Sequence, residues 1–375
     1  MHQINGINIF ADINTPVIQK AINQFCDFKS GHEDVIVNAA ILPDAHFGYG
    51  VPVGSVFAAK GMIFPSAVGF DQGCGMCAIK TSFDKQSVLN NSRHIWNKIQ
   101  ELIPTGFDHH DSGQAWSDYD DIEKTDDAVD IFNYKNGTGW RQLGTLGGGN
   151  HFIEVGADKE DAVWVIIHSG SRGIGHAIAT HYMKIAGGGK AREGYYGLDV
   201  NTVEASNYIM DLNFALEFAL ANRKLMMERI EVAMSAFCDG HFYWNGLINR
   251  NHNHAELRDG LWIHRKGATH AEEGMMGVIP GNMRDGSFIV RGKGNPDSLW
   301  SSSHGAGRVL GRKQAKEQLN MEDFTETMGD IVAHVDQSRL DESPFAYKDI
   351  FKVMEAQKDL VEIVAYVKPL INVKG

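Results

Sequence analysis

The sequence is poor in cysteine and proline and has no long apolar run. Its 375 residues include four Cys and nine Pro. So few cysteines argue against a disulfide scaffold and fit a reducing compartment. No stretch reaches the roughly 18 apolar residues that would span a bilayer, and the first segment lacks a basic region followed by an apolar one. We therefore expect a globular cytoplasmic protein.

Acidic residues outnumber basic ones, and the charge is unevenly distributed. The formal net charge of −12 argues against nonspecific wrapping of nucleic acid, which relies on Lys and Arg to neutralise phosphates. Residues 291–316, however, carry six basic side chains against one acidic side chain, which indicates either a local phosphate-binding surface or a solvated charged face. Residues 108–130 carry nine acidic side chains and one Lys, which predicts an exposed acidic insertion.

Strand-like and helix-like patterns are intermixed along the chain. Ala162–His168 and Ser287–Arg291 are apolar runs typical of buried strands, and Val203–Phe237 has the long apolar period of one or two helices. No repeat or linker interrupts residues 1–375, and the glycine-rich segment 187–197 is a second candidate insertion. We expect a single domain of the α/β class (α+β layered), with β-sheets flanked by helices.

Glycine, histidine, aspartate and cysteine are concentrated in short blocks, where glycine lets the backbone approach a ligand closely. Asp71 and Cys74 are three residues apart in a glycine-rich turn, so both can face one metal ion. Cys74 and Cys77 also form a CxxC pair, but no second pair completes a structural zinc site. The alternative for Cys74 is a small buried hydrophobic residue. The blocks are PDAH (43–46), DQGCG (71–75), NHFIE (150–154), HSGSRG (168–173) and HGAGR (304–308).

Three histidines from distant segments are further candidate metal ligands. His151 enters a predicted strand, His168 ends another, and His252 lies in a polar NRNHNH segment. Each of them alone could be an ordinary core or surface residue. Strand alternation within Asn150–Glu154 puts the first, third and fifth side chains on one face and His151 on the other. One short strand could therefore serve two ligands.

A dinucleotide-binding loop is an alternative interpretation of one segment. An apolar strand runs into the GxxGxG pattern of Gly170–Gly175 and then into a helix-like segment. The match is incomplete, because the turn begins with His168 and Ser169 and no second strand ends in an acidic ribose ligand. No Walker A motif is present, so we do not expect a P-loop NTPase.

Taken together, the blocks resemble the RtcB family of RNA-splicing ligases in order and spacing. The resemblance implies an RNA ligase that joins an RNA 3′-phosphate or 2′,3′-cyclic phosphate end to a 5′-hydroxyl end, in tRNA splicing or RNA repair. The matching segments are PDAHFGYG (43–50), VGFDQGCGM (68–76), LGGGNHFIE (146–154), HSGSRGIG (168–175), HN (252–253), IPGNM (279–283), SHGAGR (303–308) and VKG (373–375).

The resemblance also implies roles for individual residues. Two Mn(II) ions per chain would be bound, one by Asp71, Cys74 and His151 and the other by Cys74, His168 and His252. Cys74 would bridge the ions, and His304 matches the histidine that becomes guanylylated. The GTP site would comprise Asn150, His151, Phe152, Ile153, Glu154, Asn253, Pro280, Gly281, Asn282, Met283, Ser287, His304, Gly305, Ala306, Gly307 and Lys374.

Individual residues bear on the identity of the metal ion and of the RNA substrate. Thiolate and imidazole ligands favour zinc over Mn(II), so Mn(II) rests on the resemblance and zinc is a candidate inhibitor. Tyr49 stands where the family pattern has a lysine and Ser302 where it often has a cysteine, which leaves a repair ligase as plausible as a tRNA-splicing one. Arg172 and Arg308 are candidates to hold RNA phosphates bidentately, and structural ion pairs are the alternative.

The implied reaction proceeds through a histidine–GMP intermediate and an RNA-3′-pp-5′-G intermediate. Two other classes of protein stay open from the residues alone. A metal-dependent phosphodiesterase would use the same metal ligands without GTP, and an RNA-binding scaffold would show no turnover. An accessory activator or repair partner is also left open.

Overall fold

The computed structural model describes residues 1–188 and 195–375, in which strands and helices alternate around two large sheets. This architecture confirms the predicted α/β class. The strands are β1 (His2–Ile4), β2 (Ile7–Ile9), β3 (Ile36–His46), β4 (Val53–Ala59), β5 (Met62–Ile63), β6 (Gly75–Lys80), β7 (Phe152–Ala157), β8 (Val163–Ser169), β9 (Leu198–Asp199), β10 (Ile248–Asn251), β11 (Asn253–Arg258), β12 (Leu261–Lys266), β13 (Ala268–His270), β14 (Met276–Pro280), β15 (Ser287–Gly292), β16 (Ser301–Ser303) and β17 (Val361–Lys374). The α-helices are α1 (Pro16–Ser30), α2 (Pro65–Val68), α3 (Lys85–Asn90), α4 (Ser92–Leu102), α5 (Asp126–Gln142), α6 (Arg172–Ala186), α7 (Val203–Ser235), α8 (Arg312–Gln318), α9 (Met321–Met328) and α10 (Ile350–Ala356).

The six-stranded sheet has the order β1-β2-β3-β4-β12-β11. Its pairs are antiparallel except for β2 and β3, which run parallel. Helix α1 covers one face, where Phe25 and Phe28 pack against Ile41 and Phe57. Because side chains alternate along a strand, Leu42 of β3 points to the other face and joins a different core cluster.

The seven-stranded sheet has the order β10-β6-β8-β7-β17-β15-β14, and its neighbouring strands are antiparallel. The predicted strands over residues 162–168 and 287–291 are confirmed as β8 and β15. A dinucleotide-binding unit needs parallel strands on either side of its helix. Since β8 pairs antiparallel with both β6 and β7, the GxxGxG segment is the turn between β8 and α6 and not such a unit.

Two helices and the first sheet cover the faces of the seven-stranded sheet. The helix predicted over residues 203–237 is one continuous helix, α7, whose Met226 and Ile230 pack with α4 against one face. The opposite face shares a core with the six-stranded sheet, in which Val56 lies in the same cluster as Ile279 and Phe288. In the described part of the chain, no helix is long and apolar enough to cross a membrane.

The acidic segment lies on the surface beside α5. All nine acidic side chains within residues 108–130 are exposed, and residues 108–125 form neither helix nor strand. Trp116 anchors the segment in a core cluster with Phe132 and Phe214. Within the glycine-rich segment 187–197, residues 189–194 lie outside the described residues.

A buried arginine of α7 stabilises the end of the seven-stranded sheet through hydrogen bonds. Arg223 is fully buried, and its Nη1 donates hydrogen bonds of 2.9 Å to the carbonyl oxygens of both Gly73 and Ser169. Its Nε and Nη2 donate to the side-chain oxygens of Asn249 and Asn251 at 2.7 and 2.6 Å. Burial lowers the pKa of Arg223 to about 10, so the guanidinium stays charged at neutral pH. One cation thus ties together the turn before β6, the end of β8 and strand β10.

We predict that Arg223→Met lowers the free energy of unfolding by ~3 kcal/mol or more, because two buried carbonyl groups and two amide oxygens lose their donor. Urea denaturation followed by circular dichroism measures the change. Lys224→Met, at the exposed neighbouring position of the same helix, is the control and should stay within about 0.5 kcal/mol. Equal stability of the two variants would contradict the fastening role.

Candidate active site

The candidate metal ligands meet where several strands of the seven-stranded sheet end. In the antiparallel register, Gly75 of β6 lies opposite Asn251 of β10, and His168 of β8 lies opposite Phe152 of β7. The loops that adjoin these pairs therefore come together at one edge. This register gathers Asp71, Cys74, His151, His168 and His252.

Cys74, His168 and His252 form one compact buried group. The Sγ atom of Cys74 lies 3.2 Å from Nε2 of His168, which in turn lies 3.3 Å from Nε2 of His252. The three ligand atoms lie within 4.8 Å of one another, so they could hold one metal ion.

Asp71, Cys74 and His151 form a second group that shares the cysteine. Nε2 of His151 lies 3.2 Å from Oδ2 of Asp71 and 3.4 Å from Sγ of Cys74. The side chain of Asn253 donates a 2.9 Å hydrogen bond to the backbone oxygen of Asp71 and fixes the turn. Since Cys74 belongs to both groups, its sulfur lies where a bridging ligand would lie.

The hydrogen bonds made by the Nδ1 atoms of two histidine rings show why these groups suit a cation. Nδ1 of His151 contacts the carbonyl oxygen of Leu146 at 2.9 Å, and Nδ1 of His168 contacts that of Asn150 at 3.2 Å. A carbonyl can only accept, so each Nδ1 carries the proton and each Nε2 presents a lone pair to Cys74. The side chains thus converge with acceptor atoms facing one another, as metal ligands do.

Burial keeps the side chains of His168, His252 and Cys74 uncharged. The pKa of His168 lies well below its usual value, chiefly because the ring is buried and secondly because His151 is close. The pKa of His252 is lowered by burial and by His304. Burial and then Asp71 raise the pKa of the Cys74 thiol. A bound cation reverses the effect on the thiol, because metal coordination favours the thiolate.

His304 adjoins the metal groups and is oriented by Asp44. Its ring centroid lies 4.7 Å from that of His252. Nδ1 of His304 lies 2.6 Å from Oδ2 of Asp44, which also accepts from the His304 backbone at 3.1 Å. Burial alone would raise the pKa of Asp44, but the hydrogen bond from the His304 ring and the electrostatic interaction with that ring keep it below its usual value. With the Nδ1 proton held by this carboxylate, Nε2 is the nitrogen that carries the lone pair.

A cavity of about 330 Å³ opens beside His304 and the metal groups. Most residues of the predicted GTP site line it. Five glycines are among the lining residues, which leaves room for phosphate groups. The predicted residues in its wall are Asn150, Phe152, Glu154, Asn253, Pro280, Gly281, Asn282, Met283, His304, Gly305, Ala306, Gly307 and Lys374.

Three predicted residues of the nucleotide site lie elsewhere. Ile153 packs in the core on the opposite face of β7, as strand alternation requires, so only its backbone could reach a ligand. His151 belongs to the second metal group. Ser287 is fully buried on β15, close enough to Glu154 that its hydroxyl lowers the pKa of that carboxyl.

Glu154 is a buried carboxyl at the inner wall of the cavity. It is 1% exposed, and its Oε1 has no hydrogen-bond partner within the described residues. Burial raises the pKa of Glu154 to about 8, although Ser287 and Lys374 oppose the shift. An unpartnered acceptor in a ligand-sized cavity is suited to an N–H donor of a ligand.

The two predicted RNA-phosphate arginines are engaged with the protein. Arg308 pairs with Glu342 at 3.1 Å and donates to the Leu310 carbonyl at 3.0 Å. Arg172 donates to Thr145 Oγ1 at 2.9 Å and to the Gly106 carbonyl at 2.7 Å. The Arg308–Glu342 pair matches the alternative of a structural ion pair, whereas the two Arg172 contacts are hydrogen bonds to uncharged groups. A phosphate-binding role for either arginine stays a prediction.

Two polar residues of the site were not singled out from the sequence. Asp44 lies within the first sequence block, PDAH (43–46). An acidic residue in one of these blocks was the signal from which it could have been identified. Lys266 lines the cavity, and its Nζ donates to the carbonyl oxygens of Tyr49 and Ser66. Burial lowers the pKa of Lys266 to about 7. Nothing in the local sequence of β12 marks this lysine as buried.

Cys77 takes no part in the site. It is fully buried on β6 among Ile79, Ile153 and Ile167, on the core face of the sheet. Burial raises the pKa of its thiol to about 12. The CxxC pair is therefore divided, because Cys77 packs in the core while Cys74 lies at the strand end.

Comparisons with known proteins identify the class of protein. A family model described as tRNA-splicing ligase RtcB matches residues 30–375. RNA-splicing ligase RtcB of Escherichia coli strain K12 is 34% identical, over 99% of this chain and 96% of the relative. The tRNA-splicing ligase RtcB of Pyrobaculum aerophilum is 30% identical, over 89% of this chain and 87% of the relative. These matches assign the chain to a class of RNA ligases. The chain belongs to the RtcB family.

We predict that Cys74→Ala strongly reduces divalent-metal binding at both groups, because the shared thiol is the one side chain common to them. Metal content is measured by mass spectrometry after dialysis against Mn(II) or Zn(II) and removal of excess ion. Cys77→Ala removes an equally buried thiol from the same strand region and should keep the wild-type metal content. Normal stoichiometry in Cys74→Ala would rule out a bridging role.

Proposed function

We propose that the protein is a GTP- and Mn(II)-dependent RNA ligase, a single domain that joins RNA 3′-phosphate or 2′,3′-cyclic phosphate ends to 5′-hydroxyl ends. Membership of the RtcB family supports the ligase class. The observation that carries the proposal is the His304–Asp44 pair beside the two metal groups and the cavity. This arrangement presents an activated nitrogen where a nucleotide phosphate would lie.

His304 is suited to nucleophilic catalysis. Asp44 holds its Nδ1 proton and fixes the ring, so Nε2 is free to attack phosphorus. Gly267 lies against the ring, where a Cβ atom would approach the imidazole to 3.0 Å. A positive φ of 59° at Gly267 adds a backbone reason for glycine. The ring is therefore oriented both by a carboxylate and by closely packed backbone.

The metal ions would be held by the two groups that share Cys74. When bound, they would supply Lewis-acid stabilisation of charge on phosphoryl oxygens. The donor set of thiolate and imidazole suits zinc better than Mn(II) by softness alone, and Asp71 is the harder oxygen donor in the set. We propose Mn(II) as the activating ion on the family resemblance and Zn(II) as a competitor.

The proposed reaction has three transfers. Nε2 of His304 attacks the α-phosphorus of GTP, a nitrogen–phosphorus bond forms, and pyrophosphate leaves. The RNA 3′-phosphate then attacks that phosphorus and takes GMP, which frees His304 and gives RNA-3′-pp-5′-G. The 5′-hydroxyl attacks the RNA phosphorus, loses its proton and expels GMP. A 2′,3′-cyclic end is first opened by water to the 3′-phosphate.

Labelling with GTP separates this reaction from the competing classes. Incubation with α-labelled GTP and Mn(II) should give an acid-labile protein adduct, since a phosphoramidate is hydrolysed in acid. A phosphodiesterase with the same metal ligands would cleave RNA without labelling, and a scaffold would do neither. Cleavage of RNA without any adduct would contradict the ligase proposal.

We predict that His304→Asn abolishes guanylylation and the joining of 3′-phosphate to 5′-hydroxyl RNA, because an amide has no basic lone pair. The variant should still bind metal, since His304 is not among the ligand groups. It should also seal RNA supplied as RNA-3′-pp-5′-G, because that step needs no enzyme–GMP bond. Gel assays with labelled GTP and labelled RNA measure both steps.

The control for this variant is His241→Asn, a histidine on the exposed segment before Tyr243. It should keep all three steps. Covalent GMP on the His304→Asn protein would show that another residue is the nucleophile. Failure on pre-activated RNA despite normal metal content would give His304 a wider role than the one proposed.

We predict that Glu154 makes GTP binding pH-dependent, because a carboxylate can accept from guanine N1–H and the N2 amino group. The pKa of Glu154 is raised to about 8, so its carboxyl group is protonated below that pH in the empty site. It must lose this proton before it can accept the hydrogen bonds of guanine. Apparent affinity should therefore rise by more than about tenfold from pH 6.5 to 8.5. Isothermal titration calorimetry with a non-hydrolysable GTP analogue measures the profile.

Glu154→Gln should flatten this profile and reduce the preference for GTP over ATP. Glu160→Gln, in an exposed turn, serves as the control and should keep the wild-type profile. Affinity that falls as pH rises, or an unchanged GTP-to-ATP ratio in Glu154→Gln, would remove Glu154 from base recognition.

A further inference from the structure

Three rings form a row at the mouth of the catalytic cavity. The Tyr49 and Phe70 centroids lie 5.0 Å apart at 45°, and those of Phe70 and His176 lie 5.0 Å apart at 22°, which is a stacked arrangement. Phe70 lines the cavity and directly precedes Asp71. His176 is exposed, on the second turn of α6, whereas Phe70 and Tyr49 are half-buried. Phe70, in the middle of the row, lies in the cavity wall, and His176 at one end faces solvent.

The loop that carries Tyr49 extends this aromatic surface. Phe47 is 58% exposed, and the Nζ atom of Lys20 lies 5.1 Å from its ring centroid. The backbone oxygen of Tyr49 accepts a hydrogen bond from Lys266, a lysine in the cavity wall, so the loop is tied to the site. Exposed rings next to a cation, beside a site for phosphates, are the features that proteins use to bind single-stranded nucleic acid.

We propose that Tyr49, Phe70 and His176 form a stacking platform for the base of a terminal RNA nucleotide, and this rests on the proposed ligase function. The base would stack on the exposed ring of His176 and extend the row, while Phe70 and Tyr49 support that ring from below. The ends of single-stranded RNA present unstacked bases, and stacking accepts any base because every base has a π-face. The platform would hold the RNA end without reading its sequence.

The position of the row relative to the chemistry supports this assignment. Phe70 is the residue before a candidate metal ligand, and His176 lies one turn beyond Arg172 at the start of α6. An RNA end whose phosphate reaches His304 and the metal groups would have its base outside the cavity, because Glu154 and its surroundings form the inner wall. The exposed ring of His176 is placed to receive that base.

A fluorescence titration tests the platform without requiring ligation. RNA carrying 2-aminopurine at a 3′-phosphate end, or at a 5′-hydroxyl end, is titrated with wild-type protein and with His176→Ala, Tyr49→Ala and the double variant. Stacking quenches 2-aminopurine emission, so the wild type should quench one of the two probes. The double variant should bind that RNA about tenfold more weakly, as expected for the loss of one base stack. His176→Trp should restore affinity.

The matched control is His241→Ala with Tyr243→Ala, a ring pair with centroids 5.2 Å apart beyond the other end of β6. This double variant should match the wild type. A second RNA with an abasic terminal nucleotide should bind the wild type and the platform variant equally. Unchanged affinity of the platform double variant, or a loss as large on abasic RNA, would overturn the proposal.

These outcomes are separable from failure of the proposed function. Ring-dependent quenching with no guanylylation by labelled GTP would keep the platform and reject the ligase mechanism. Guanylylation and ligation with no ring-dependent binding would keep the ligase mechanism and reject the platform. A ring-dependent loss of GTP binding in place of RNA binding would assign the row to the nucleotide and likewise overturn the proposal.

Discussion

The site depends on holding several acceptor atoms close together, most of them on buried side chains. Nε2 of His151, Nε2 of His168, Sγ of Cys74 and a carboxylate oxygen of Asp71 lie 3.2 to 3.4 Å from their neighbours. Such atoms repel one another unless a proton or a cation lies between them. The fold must therefore supply the rigidity that keeps them in place. It does so with antiparallel strands whose hydrogen bonds fix each loop at a strand end.

Helix α7 provides the second restraint on the same loops. Asn222 and Arg223 are both fully buried polar residues on its inner face. The Asn222 side chain accepts from the backbone N–H groups of Gly144 and Thr145, and it donates to the Gly170 carbonyl at 3.1 Å. Their polar groups satisfy loop backbone that could not reach water. The longest helix is thus a structural support for the site as well as a core element.

Close backbone approach explains why the site blocks are rich in glycine. A Cβ atom at Gly75 would lie 2.1 Å from the Arg250 carbonyl oxygen, and one at Gly170 would lie 2.5 Å from a carboxylate oxygen of Asp71. Side chains at these positions would separate the strands that bring the ligands together. The glycines were visible in the sequence, but their role in packing neighbouring loops required the register of β6, β8 and β10.

Much of the fold and site could be predicted because the signals were local. The apolar runs of β8 and β15 and the long period of α7 each lie within one segment, and alternation placed Phe152 and Glu154 on one face of β7. Pairings between distant segments could not be predicted in this way. Asp44 and His304 are 260 residues apart, and Glu342 contacts Lys374, Arg308 and Arg312 only in the folded chain. Likewise, nothing local distinguishes the buried Lys266 from an ordinary surface lysine.

The Glu342 cluster shows how an acidic protein can provide a site for anions. Arg308, Arg312 and Lys374 all pair with this one buried carboxylate, at 3.1, 2.6 and 2.7 Å. Burial alone would raise the pKa of Glu342, but Lys374 and the two arginines lower it to about 2, so it stays ionised. Three cations against one shared carboxylate leave positive charge at the cavity wall, even after Asp341 pairs with Arg312. The carboxylate also holds the cations in position before a ligand arrives, which reduces the entropy that a phosphate would otherwise lose in ordering them. The net charge of the chain is therefore a poor guide to this surface, because the potential that a phosphate encounters is set by the side chains within a few ångströms.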